Sequence, residues 1–112
     1  MYNPKQELYS ILSSLGCACS QGYQSIFNEV PAITFVVGKN VPRYNLDKTV
    51  IAYEIEATID IWADESTTLS YIADKVESVM RDNDYLLSHS TDVLAPEECL
   101  CHYQMRFDAI KP

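Results

Sequence analysis

The sequence predicts an α+β fold: a two-layer sandwich in which an antiparallel or mixed sheet of about four strands is covered by two helices, in the order α-β-β-α-β-β. Three observations lead there. Tyr53, Ile55, Ala57, Ile59 and Ile61 alternate with Glu54, Glu56, Thr58, Asp60 and Trp62, a two-residue period that gives a strand one apolar and one acidic face. A strand with one polar face belongs to an antiparallel sheet covered on its other side, because strands buried on both faces read as continuous apolar runs. Two further stretches, residues 4–15 and 67–81, repeat their apolar residues at the spacing of amphipathic helices and can form that cover.

Each element follows in order. Pro4 followed by Leu8, Ile11, Leu12 and Leu15 gives helical spacing, with proline near the first turn and Gly16 as the stop. The next stretch, CACSQGYQSIFNEVPA, has no period and reads as a connection with room for a helical turn. Residues 33–37, ITFVV, are β-branched and form a strand that ends at Gly38. The following GKNVPRYNLDK reads as a loop, too long and too proline-containing for a tight hairpin, so the first two strands make a hairpin with a long tip. After the central strand, Asp64 or Ser66 can cap a helix, with Glu65 near its positive end. Leu69, Ile72, Ala73, Val76, Val79 and Met80 carry that helix over residues 67–81, and it ends in the polar DND before Tyr85. A strand at residues 90–94, a turn at APEE and a last strand at residues 99–109 complete the chain. In that last strand Cys99, Cys101, Tyr103, Met105 and Phe107 share one face, and Leu100, His102, Gln104, Arg106 and Asp108 the other.

The 112 residues fit a single domain, residues 1–112, burying about two-thirds of the unfolded surface. Sixteen acidic against eight basic residues give a net charge of −8, which argues against a general nucleic-acid binder, since that affinity rests on Lys and Arg at phosphates. No apolar run approaches the ~20 residues of a membrane span, and Pro4, Lys5, Gln6 and Glu7 stand where a signal peptide needs an apolar core. The expectation is a soluble protein made in the cytosol, with its four cysteines as reduced thiols.

Catalytic motifs are sparse. With three glycines there is no phosphate-binding loop, and no serine sits in a nucleophile elbow. Two Cys-x-Cys pairs, Cys17 with Cys19 and Cys99 with Cys101, could bring four thiolates to a zinc ion, with His102 adjacent and His89 elsewhere, which makes a small metal- or redox-binding domain the alternative function. Against this, structural zinc sites usually leave two or more residues between ligands, and Cys99 with Cys101 fits the inward alternation of a strand. The expectation is no resident metal or cofactor. Glu54, Glu56 and Asp60 lie on an open strand face with no pocket to shift a pKa, so they read as solvated carboxylates partly balanced by Arg106 and His102. Trp62, at the end of that strand, is either a lid over the sheet edge or an interface anchor. Lys39, Arg43 and Lys48 cluster in one segment with a single acid, Asp47. A basic arm on an acidic body is self-complementary between copies and suits a head-to-tail ring; an ordinary solvated hairpin tip is the alternative.

Across nearly all its length the chain resembles the small tail-completion, or tail-terminator, proteins of long-tailed bacteriophages and prophages. The resemblance is carried by the helix PKQELYSILSSL, the hairpin ITFVV and VIAYEIEATIDIWA, the helix DESTTLSYIADKVESVM after the aromatic strand end, and the closing strand ECLCHYQMRFDAI. It implies a non-catalytic structural protein that caps the tail tube as a ring, commonly hexameric, and joins it to the head connector. The partners it implies are further copies of the chain, the tail-tube protein and a head-completion protein, with DNA passing through unbound and no membrane. The implied location is the virion neck, after assembly in the bacterial cytoplasm. On that reading Lys39, Arg43, Lys48 and Trp62 form the subunit interface, and the row Glu54, Glu56 and Asp60 faces the lumen. Head-side connector and minor capsid proteins share much of the pattern, and the Cys-x-Cys pairs lie outside it.

Overall fold

The structure is a computed structural model describing residues 4–15, 18–21, 32–93 and 101–111. Its elements run α1 (Pro4–Ser13), β1 (Ala18–Gln21), β2 (Ala32–Tyr44), β3 (Val50–Ala63), α2 (Ser66–Asp82), β4 (Leu86–Val93) and β5 (Cys101–Lys111). The strands form one sheet in the order β1-β2-β3-β5-β4. The four long strands pair antiparallel, and β1 adds parallel to the start of β2. This is the α+β arrangement that the alternating strands and amphipathic helices predict.

The core lies between the sheet and the two helices. Ile55, Ala57, Ile59, Ile61 and Ala63 of β3 bury their side chains there with Ile33 and Phe35 of β2 and Met105, Phe107 and Ala109 of β5. From above come Leu8, Ile11 and Leu12 of α1 and Leu69, Ile72, Val76 and Met80 of α2. Burying each large apolar side chain contributes about 1.5–3 kcal/mol, which is why the two-residue and 3.6-residue periods have to face one another.

Four local expectations are corrected. Within the expected connection, residues 18–21 form β1, pairing from Ala18 with Ala32 to Gln21 with Phe35. Four residues are too few to show a period, and the ladder comes from the partner strand.

The expected long loop after Gly38 is mostly strand. β2 continues through Tyr44, paired with β3 from Lys39 opposite Glu56 to Tyr44 opposite Val50. Gly38 falls at a bulge between Val37 and Lys39, which bends a strand without ending it. Pro42 is tolerated because among the described residues no strand pairs with the other edge of β2 beyond Phe35. The reversal is confined to residues 45–49. There Lys48 N donates to Asn45 O at 3.1 Å and Asn45 N to Thr49 O at 3.0 Å. The Asn45 Oδ1 accepts from the amides of Asp47 and Thr49 at 2.9 and 3.0 Å. Lys48 takes the left-handed conformation, φ 65°, that closes a three-residue hairpin loop.

The expected caps of the second helix, Asp64 and Ser66, are not its cap: Glu65 occupies that position, without a capping hydrogen bond from its side chain. At the other end Asp84, with φ 69°, turns the chain out of α2 while Tyr85 N donates to Met80 O at 2.9 Å. β4 starts at Leu86 rather than Ser90, because a register shift between Leu87 and His89 breaks the alternation there. The APEE turn and the first two residues of the expected last strand, Cys99 and Leu100, lie outside the described residues.

The β2–β3 hairpin outruns the rest of the sheet. β5 ends at Lys111 opposite Tyr53, so the chain between Arg43 and Ala52 projects as a two-stranded arm. The 14 residues of β3, at ~3.3 Å each, span about 46 Å, close to the long dimension of 53 Å. The radius of gyration, 15.1 Å, exceeds the roughly 13 Å of a compact domain of this length.

Candidate functional site

The sheet face opposite the helices carries the alternate residues of β3, and it divides into a buried and an open half. At the buried end Asp60 is 3% exposed, Trp62 0%, His102 4% and Thr34 1%. Neighbouring strands set this cluster by register: Thr34 and Gln104 flank Asp60, and Ala32 and His102 flank Trp62. The His102 Nε2 lies 2.8 Å from the Asp60 Oδ1, and the Gln104 side-chain amide donates to the same oxygen at 3.1 Å. A carboxylate only accepts, so Nε2 is the nitrogen that carries the proton. The Trp62 and His102 rings stack, with centroids 4.2 Å apart and planes at 18°.

At the open end the acidic row meets the basic segment of the same chain. Lys39 Nζ lies 3.6 Å from Glu54 Oε1, and the Arg43 guanidinium contacts the other carboxylate oxygen. The Arg106 Nε lies 3.9 Å from Glu56 Oε1. The hydrogen bond from Arg43, with its charge and that of Lys39, holds the Glu54 carboxyl below the ordinary carboxylate value.

These positions correct several expectations. Trp62 is no surface anchor, because its own chain buries it completely. The row Glu54, Glu56 and Asp60 is not one solvated strip: Asp60 is buried against His102, and Glu54 and Glu56 remain at the surface. Lys39 and Arg43 neutralise Glu54 within the chain rather than standing free for a neighbour. Lys48 stands apart at the hairpin tip, with no ion pair among the described residues. Of the candidate metal ligands, Cys17 and Cys99 lie outside the described residues, Cys19 falls in β1, and Cys101 packs partly buried against the core. Among the described residues no three His, Cys, Asp or Glu side chains are placed to hold a metal ion. Among the same residues no helix is long and apolar enough to cross a membrane.

Compared with the models of known protein families and with curated proteins, the chain matches none.

Two features that sequence reasoning missed adjoin this face. The arm exposes apolar side chains: Leu46 fully, Tyr44 and Ile51 by more than half, and Val50 by over a third. Their signal was present, since a turn flanked by Tyr44, Leu46, Val50 and Ile51 is more apolar than a solvated tip requires. At the base of the arm a groove of about 590 Å³ opens between β3, β5 and the start of β4. Leu86 and Ile110 line it, both more than three-fifths exposed, together with the carboxylates of Glu56, Asp84 and Asp108.

On the helix side Lys111 ties three elements together. Its ammonium donates to the Asn83 carbonyl, lies 3.1 Å from Glu7 Oε1, and sits 4.5 Å from the centre of the Tyr85 ring. Burial first, and the Glu7 charge second, push the Tyr85 hydroxyl well above its ordinary pKa.

Proposed function

We propose that this chain is a structural ring protein of a long-tailed phage or prophage, a tail terminator that caps the tail tube and joins it to the head connector. The observation that carries the reading is the projecting arm with Tyr44, Leu46, Val50 and Ile51 uncovered. A two-stranded ribbon is marginal alone in water, and apolar side chains gathered at its tip mark a surface meant for another protein. An arm that differs from the surface it meets gives a head-to-tail contact, and such contacts close into rings when the rotation allows. The net charge of −8 suits a passage for DNA that does not hold phosphate. The sequence resemblance names the same assembly, with the tail tube and the head-side connector as the neighbouring parts.

Electron microscopy of the protein, alone and mixed with tail tubes from the same virion, tests this. Rings, free or seated on one end of each tube, are the expected result. Protein that remains monomeric at high concentration and leaves tube ends bare overturns it.

A further inference from the structure

We infer that the tip of the β2–β3 arm of one copy seats in the groove at the arm's base on the next copy. The inference rests on the ring reading and names the contact that would build the ring. The tip offers Leu46, fully exposed, and Lys48, which has no ion pair among the described residues. The groove offers matching chemistry: Leu86 and Ile110 present apolar surface, and Asp84 and Asp108 are carboxylates with no ion-pair partner among the described residues. Its volume of about 590 Å³ is that of a pocket for a medium-sized ligand, about 300–1,000 Å³, enough to take the few side chains of a hairpin tip.

The occupant has to be a second copy rather than the chain's own arm. Glu54 and Lys39, which also line the groove, sit at the base of the same hairpin whose tip is Leu46. The paired strands between them hold tip and groove apart, so a chain cannot fill its own groove. The tip also carries Asp47, so two tips would set like and unlike charges together in equal number, and two grooves would bring the carboxylates of Asp84 and Asp108 together. Tip against groove sets Lys48 against the carboxylates of Asp84 and Asp108 while Leu46 meets Leu86 and Ile110, and because the two surfaces differ, each copy keeps one of each free for the next.

Two surface variants separate the halves of this contact. Leu46→Asp spoils the tip and leaves the groove; Ile110→Asp spoils the groove and leaves the tip. Both residues are largely exposed, so circular dichroism and melting temperature should match the parent chain. In sedimentation velocity each variant should lose assembly, with the association constant falling at least about ten-fold. An equimolar mixture should form a one-to-one dimer and stop there, since one good tip meets one good groove. Lys48→Asp should weaken assembly about three-fold, and adding Asp84→Lys should restore it. Rings of undiminished stability from Leu46→Asp would overturn the docking while leaving the ring reading intact. Rings of that variant that no longer seat on the tube would also overturn it, by assigning the tip to the tube protein. Failure of the parent chain to assemble under any condition would overturn both.

Discussion

His102 and Asp60 stand 42 residues apart in the chain and 2.8 Å apart in the fold, buried on the sheet face that the helices do not cover. Their strands, β5 and β3, are neighbours, and the pair crosses between adjacent rows of the ladder rather than within one. Gln104 completes the oxygen's hydrogen bonds, and Trp62 lies flat on the imidazole. A polar contact enclosed in this way fixes the strand register, since a one-residue slip would move Asp60 into the aliphatic core.

Removing one member should therefore cost more than removing both. Asp60→Ala leaves the buried His102 donor and the half-buried Gln104 amide without this acceptor, and it should destabilise the fold by about 3 kcal/mol or more. The double variant Asp60→Leu with His102→Leu should lose less than Asp60→Leu alone, and so less than the single changes Asp60→Leu and His102→Leu summed. Urea unfolding midpoints of the four proteins check this; strict additivity would contradict it.

Much of this was legible in the sequence, and the limits have physical causes. The alternation from Tyr53 to Trp62 and from Cys101 to Asp108 assigned each side chain to its face, because a sheet with one buried face forces that period. The same alternation placed Asp60 beside the strand of His102. It said nothing about the opposite face being buried at the Trp62 end, since enclosure depends on segments remote in sequence. Lys39, Asn40 and Pro42 are poor strand formers, and their strand conformation is imposed by Glu56, Ile55 and Tyr53 across the ladder. For β4, the shift at Ser88 erased the period that would have announced Leu86 and Leu87.

Glu54 should titrate below the ordinary carboxylate value of 4.5, with Arg43 as the main cause. The folded pKa is depressed, so the stabilisation is present above the unfolded pKa and is lost as pH falls through the folded one. Carboxyl NMR titrations should show the Glu54 midpoint rising toward its ordinary value in Arg43→Ala. An unchanged midpoint would count against the pairing.

Alkali should expose the Tyr85 hydroxyl as a liability. Its folded pKa is raised, so the unfolded chain loses this proton first. Stability then falls as pH rises past the unfolded value of about 10, and nothing is lost below it. Tyr85→Phe should flatten that fall. Equal slopes of stability against pH between about 9 and 11 for the two proteins would show the expectation wrong.

Among the described residues two non-glycine positions hold a left-handed backbone: Lys48 in the hairpin turn and Asp84 after α2. Glycine at either position should raise stability by about 1 kcal/mol, because it adopts that conformation without the Cβ clash. The converse change, Asn45→Ala, removes the acceptor of two turn amides and should cost about 1 kcal/mol. Thermal melts report all three.

The strand order has a consequence for how the protein is made. β5 follows both β3 and β4 in the chain, yet it lies between them in the sheet. Until those eleven residues have left the ribosome, β3 has one bare edge and β4 has no partner among the described strands. Closing of the sheet therefore waits for a long-range insertion of β5 between two strands made before it, on the slow side of the range for domains of this size. The newborn chain carries an unpaired Ile-rich strand in the meantime, a species exposed to aggregation and to capture by chaperones.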